Sequence, residues 1–191
     1  MVKMLVSDGD AAAGGVGPVD AVADRVSPAQ RARLDRARAA AARVTDPEVP
    51  VLTIEDLAIL HDVAIDEAGR VTVTILPTYF GCPAMGVIAF AIETELAKDG
   101  FTDARVRLSN APAWSTERMS GAARKKLRAC GISPPEPVAG KRALFAPSVA
   151  VDCPRCGSGE TERVSEFGST ACKALWRCRA CREPFGHFKC I

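Results

Sequence analysis

The sequence predicts an α+β fold: a small antiparallel or mixed sheet packed by helices in the order α-β-β-α-β-α, followed by a C-terminal zinc ribbon. Three observations predict it. Val63 and Ile65, then Val71, Val73 and Ile75, alternate with polar neighbours on either side of an Asp66-Glu67-Ala68-Gly69 turn, the period-two pattern of a β-hairpin. Met85, Ile88, Ile92 and Leu96 recur at helical spacing. Finally, Cys153-Pro-Arg-Cys156-Gly157 and Cys178-Arg-Ala-Cys181 form two knuckles with 21 residues between the inner pair, slightly more than the usual gap of about 15–20.

The elements follow in order. Residues 1–27, which include Gly14-Gly15-Val16-Gly17-Pro18, lack an apolar period and read as a flexible tail. Ser27-Pro28 has the form of an N-cap followed by Pro at the first helical position, and the Ala- and Arg-rich stretch to about Arg43 favours helix. Its arginines read as a solvated face. Asp46-Pro47-Glu48-Val49-Pro50 breaks that helix, and Thr53-Ile54-Glu55-Asp56 resembles a capping box opening one or two turns. After the hairpin, Pro83 to Lys98 is helical and stops at Gly100, Arg105–Leu108 alternates as a strand, and Ser120–Ala129 forms a further helix closed by Gly131 and Pro134. The assembly of these elements spans residues 28–133. A Pro-rich linker is expected over 134–150 and the ribbon over 151–191.

Composition narrows the function. Twenty-five Lys and Arg against 23 Asp and Glu leave a formal charge of +2, too little for a nucleic-acid binder, and no aromatic residues interleave with a basic stripe. Arg124, Lys125, Lys126 and Arg128 read as a solvated helix face. The chain carries eight cysteines but no hydrophobic signal segment, which points to a reducing cytoplasm rather than to disulfides. No apolar run approaches about 20 residues, so a membrane span is not expected.

Four thiolates at tetrahedral corners suit Zn(II), so Cys153, Cys156, Cys178 and Cys181 are the expected ligands of one structural ion. Trp176 and Phe185 would form the ribbon's apolar plug. A second candidate is Cys82 in Thr78-Tyr79-Phe80-Gly81-Cys82-Pro83-Ala84. It lies at or just before the N-cap of the apolar helix, where free N–H groups and the helix dipole favour thiolate, although a buried structural cysteine would fit the same position. Cys172 and Cys190 remain over. They could substitute for a knuckle ligand, join Cys82 in a transient thiolate site for iron, or serve only in ribbon packing and as a terminal thiol. Cys130 reads as structural and His187 as a packing residue. Neither histidine, His61 or His187, completes a Glu-x-x-His pair, so a carboxylate-bridged di-iron centre is not expected, and no Gly-x-Gly-x-x-Gly loop follows a strand.

Asp46-Pro-Glu-Val-Pro-Val-Leu-Thr-Ile-Glu-Asp-Leu57, Val71-Thr-Val-Thr-Ile-Leu-Pro-Thr-Tyr-Phe-Gly-Cys-Pro-Ala-Met85 and Ala113-Trp-Ser-Thr-Glu-Arg-Met-Ser120 resemble the SufT-like iron–sulfur assembly domain. Cys153-Pro-Arg-Cys156-Gly157, Phe167-Gly-Ser-Thr-Ala-Cys172-Lys-Ala-Leu175 and Phe188-Lys-Cys190 resemble the PaaD-like family of phenylacetate-degradation proteins, associated with phenylacetyl-CoA epoxidase. The resemblance covers about Thr45 to Ile191. It implies an accessory role in maturing the oxygenase and iron–sulfur reductase subunits of that epoxidase, with iron or an iron–sulfur cluster held transiently and no oxygenation by this chain itself. A structural, non-catalytic subunit is the alternative it leaves open, and a nucleic-acid-binding ribbon a more remote one. Phe80 departs from the small Ser that the resemblance leads one to expect beside Gly81-Cys82-Pro83.

Overall fold

A computed structural model of the protein describes residues 5–6, 27–135 and 151–189. Most of the expected tail and linker, and Cys190, lie outside them. Strand β1 (Leu5–Val6) opens the chain, followed by α1 (Pro28–Ala42), β2 (Leu60–Ile65), β3 (Val71–Ile75), α2 (Ala84–Lys98), β4 (Arg105–Leu108), α3 (Gly121–Ala129) and β5 (Ile132–Ser133). The ribbon adds β6 (Thr161–Ser165), β7 (Lys173–Cys178) and β8 (Pro184–Phe188).

The first sheet has the order β1-β4-β3-β2. β2 and β3 form the expected antiparallel hairpin, with Val63 opposite Val73, whereas β4 pairs parallel to β3 after the α2 crossover. The sheet is therefore mixed. β1 differs from the expected tail: Leu5 pairs with Arg107 and Val6 with Leu108, which satisfies the outer edge of β4. Two residues are too short to carry a period, so nothing in the sequence marks them as a strand.

Local chemistry sets the helix ends. Ser27 caps α1 through its hydroxyl to the Gln30 N–H, and the Gln30 side chain returns the bond to the Ser27 N–H, a full capping box. Thr53 and Asp56 exchange the same pair of bonds, at 3.1 Å each, yet close only a turn that ends at Ala58 with φ 54°. α2 buries Ala84, Met85, Ile88, Ala89, Ile92 and Leu96 against the sheet, and α1 buries Ala37, Ala40 and Ala41. The arginines of α1 are exposed but engaged: Arg33 donates to the Gly69 carbonyl, Arg36 to that of Asp99, and both guanidinium groups lie over Phe101. On α3, Lys126 pairs with Asp56 while Arg124 donates to the carbonyls of Thr116 and Pro135, so that run is only partly a solvated face.

The two halves share a core. Phe188 of β8, 1% exposed, and Cys172, 5% exposed, belong to the same buried cluster as the α1–α2 core. Trp114 makes the link: its Nε1 donates to the Leu57 carbonyl at 2.8 Å and its ring lies 6.2 Å from that of Phe188. The second sheet, of order β5-β8-β7-β6, continues this connection. Ile132 and Ser133, which the sequence places at the end of the first unit, pair parallel with Gly186 and His187 of the ribbon. The physical reason is the open edge of β8, which takes the nearest extended segment as its partner.

Candidate metal centre and thiol junction

Each knuckle turns the chain back on itself with the same two devices. Cys153 N–H donates to Ser158 O at 3.0 Å and Cys178 N–H to Glu183 O at 2.9 Å, five residues on in both cases. The residue after the second cysteine is left-handed in both, Gly157 at φ 75° and Arg182 at φ 65°. Glycine adopts that conformation freely; at Arg182 the turn is made against a steric cost.

These turns bring the four sulfurs within 4.8 Å of one another. The Cys153–Cys181 and Cys156–Cys178 pairs are 3.7 and 3.6 Å apart. A tetrahedron with Zn–S bonds of about 2.3 Å has edges of about 3.8 Å, so the cage fits zinc as it stands. The Cys181 N–H points at Cys178 Sγ at 3.4 Å, and backbone donation of this kind lowers that thiol. Beneath the cage, Val151, Ala174, Trp176 and Phe185 pack with Cys153 and Cys178. Trp176 and Phe185 face each other across β7 and β8, which places the expected plug.

Cys82 ends the Pro77–Cys82 loop between β3 and α2. Gly81, at φ 81°, makes the turn that only a residue without Cβ adopts readily, although its surroundings leave space for a side chain. The N-cap of α2 is Pro83, so Cys82 sits one residue before it, and its carbonyl accepts from the Met85 N–H at 3.3 Å. Its thiol is half-buried, and its backbone N–H donates to the Tyr79 carbonyl at 3.3 Å. Phe80 is 90% exposed, so the bulky residue is not packed over the thiol.

The structure places Cys172 in a setting that spacing alone does not specify. It is buried at the start of β7 and donates to Glu48 Oε2 at 3.4 Å, while Thr170 Oγ1 lies 3.0 Å from its sulfur. Burial pushes the thiol up to about 11. Glu48 is held out by Asp46, whose buried carboxylate accepts the N–H groups of Glu48 and Val49, at 2.8 Å each. Lys173 Nζ donates to the Glu48 carbonyl at 3.3 Å. Burial, then the neighbouring Cys82, Glu48 and Cys172, push the Tyr79 hydroxyl up to about 12. Sequence reasoning singles out Cys82 and Cys172 but misses Glu48 and Tyr79, both of which lie inside the quoted motifs. Cys130 caps α3 through its backbone, yet its thiol is exposed rather than packed. Among the described residues, the ribbon cage is the only set of three or more such ligand atoms already closed within 4.8 Å.

Residues 34–108 match the family described as iron–sulfur cluster assembly protein, and residues 138–189 match the PaaD zinc beta ribbon domain. Fold and site thus define an iron–sulfur assembly domain carrying a zinc ribbon. Over 149 residues the chain is 48% identical to a putative 1,2-phenylacetyl-CoA epoxidase subunit of Escherichia coli, covering 78% of this chain and 88% of that protein. The chain belongs to the family of that epoxidase subunit. An Fe-S protein maturation auxiliary factor of Bacillus subtilis is 33% identical over 79 residues, 41% of this chain and 76% of its own length. A Bacillus anthracis domain of unknown function, solved by crystallography, shares 31% identity, covering 52% of this chain and 94% of that one with a TM-score of 0.48. No helix among the described residues is long and apolar enough to cross a membrane.

Proposed function

We propose that this protein is a non-catalytic accessory factor that helps to load iron or an iron–sulfur cluster into a multicomponent phenylacetyl-CoA epoxidase. Its partners would be the oxygenase and the iron–sulfur reductase subunits, and Cys82 the thiol that holds the cargo. The observation that carries this reading is the position of Cys82: a half-buried thiol at the start of α2, within the segment that matches the iron–sulfur assembly family. The ribbon zinc has a different role. Four protein ligands leave no open coordination position, so that metal stabilises structure and takes no part in transfer.

The test is a deletion strain from which the oxygenase and its reductase are isolated and their iron and iron–sulfur content measured against wild type. Depleted metal with epoxidation lost is the expected result. Cys82→Ser should reproduce that loss while shifting protein stability by less than about 1 kcal/mol, because one half-exposed thiol contributes little buried surface. Unchanged metal content with activity lost would favour the structural-subunit reading, which the name of the Escherichia coli relative supports. Stable copurification with the oxygenase would favour it further.

A further inference from the structure

We infer that the outer face at the start of α2, formed by Phe80, Pro83, Val87 and Phe90 beside Cys82, is the surface on which the metal-receiving subunit docks, through an uncharged apolar segment of its own. The inference rests on the reading of Cys82 given above and deepens it by naming what brings the acceptor to the thiol.

Spacing and exposure carry the argument. Pro83, Val87, Phe90 and Thr94 follow one another at helical intervals of four, three and four residues, so they form one line along α2, opposite the face that buries Met85, Ile88, Ile92 and Leu96. All four are exposed, Val87 to 57% and Phe90 to 60%, and Phe80, two residues before Cys82, is exposed to 90%. No charged residue occurs from Val71 to Ile92, and Thr94 turns its hydroxyl back onto the Phe90 carbonyl at 2.8 Å. Gly86 lies beside this line, and a Cβ built on it would meet nothing within 4 Å. Alanine favours a helix more than glycine does and would fit here, so packing within this chain does not call for glycine; the flat spot admits a side chain from outside. The exposed apolar residues of the ribbon are set differently: Lys189 Nζ stands 4.4 Å from the centre of the Phe167 ring, and Val164 directly follows Arg163.

Area and charge select the occupant. An aromatic side chain covers about 150–250 Å², so the two phenylalanines and Val87 together offer roughly 300–400 Å² at these exposures. That is the size of a functional patch on a monomer, about 300–600 Å², and about half of the ~800 Å² that each partner of a stable complex contributes. A permanent dimer of this chain would need a larger surface. A segment that binds, takes the metal and leaves does not. A charged side chain seated here would lose water without gaining a counter-charge, so the segment that fits carries aliphatic or aromatic anchors. Docked along α2, it sets its flank beside Cys82 at the N-terminal end of the line.

The experiment immobilises the metal-free oxygenase and the metal-free iron–sulfur reductase subunits in turn. The full chain with its ribbon zinc is passed over each as wild type, Phe80→Glu, Phe90→Glu and Cys82→Ser. Wild type should bind one of the two with fast exchange, and both glutamate variants should bind tenfold or more weakly with zinc content and denaturation midpoint unchanged. Cys82→Ser should bind as wild type does, because the face rather than the thiol makes the contact. Should a glutamate variant unfold, Phe80→Ser or Phe90→Ser takes its place. Wild-type affinity in either substituted phenylalanine variant, or no binding of either subunit by wild type, overturns the inference. A wild-type dimer in sedimentation that Phe90→Glu converts to monomer seats a second copy on the face and overturns it too. Tighter binding by Phe145→Ser would seat the chain's own 136–150 segment there, with the same consequence. If Cys82→Ser alone loses binding, the docking face fails while the assembly reading stands. If partner subunits keep full iron in the deletion strain, that reading fails whatever the binding shows.

Discussion

The ribbon cage and the Glu48–Cys172 contact both set cysteines in defined surroundings, and they are built in opposite ways. The cage draws its four ligands from two local turns with matching hydrogen bonds, and two of its sulfur pairs stand 3.7 and 3.6 Å apart. The contact joins two segments 124 positions apart, brought together because Phe188, Trp114 and Cys172 share a core with α1 and α2. Local construction yields a closed site suited to permanent binding, whereas long-range construction yields a contact whose geometry depends on how firmly the two domains are held.

Breaking the cage should have the largest effect. Cys178→Ser removes a fully buried ligand and with it a metal whose binding free energy in such modules is about 10–16 kcal/mol. Zinc content should fall to near zero and hydrogen-exchange protection of β6, β7 and β8 should collapse, while α1 and α2 remain protected. One zinc per chain in that variant would contradict the four-ligand assignment.

Next comes the shared core. Phe188→Ala should cost about 3–5 kcal/mol, with zinc retained and Trp114 fluorescence shifted toward that of a solvated indole. A cost under about 1 kcal/mol in chemical denaturation would mean that the ribbon is merely tethered.

The junction can be sharpened by pH. Burial holds the Cys172 thiol protonated up to about 11, against an ordinary value of 9.0, so the folded chain keeps a proton that the unfolded chain releases. That contribution is fully present below about pH 9 and is lost as pH rises through about 11, at most about 2–3 kcal/mol. Denaturation of wild type and Cys172→Ala across this range should show wild type losing stability relative to the variant. Parallel curves would place the thiol in a wetter setting.

The smallest effect tests the symmetry of the knuckles. Arg182 holds the left-handed conformation that Gly157 holds in the first turn, so Arg182→Gly should stabilise the zinc-loaded ribbon by about 1 kcal/mol. A destabilised variant would show that the arginine side chain contributes more than its backbone costs.

The hairpin, the apolar helix and the two knuckles are readable because each is written in a short period or spacing: Val71, Val73 and Ile75 at two, Met85, Ile88, Ile92 and Leu96 at three and four, the cysteines at three. Cys82 is readable for the same reason, as a thiol between a strand and a helix start. β1 and β5 are not, since each is two residues long and is a strand only through a neighbour's open edge. Glu48 looks like part of a helix-breaking turn, and Tyr79 like a loop aromatic. Nothing near either residue in sequence indicates a thiol more than a hundred positions away from Glu48.

The sequence by itself determined the elements and the zinc cage, because hydrophobic period, caps and Cys-x-x-Cys turns act over a few residues and are recorded there directly. Only the tertiary structure decided that the ribbon docks on the assembly domain and that Cys172 faces Glu48. Those facts depend on burial of Phe188 against Trp114 and on β8 pairing with β5, contacts between distant segments whose free energy arises from excluded water and edge pairing and leaves no local pattern in the chain.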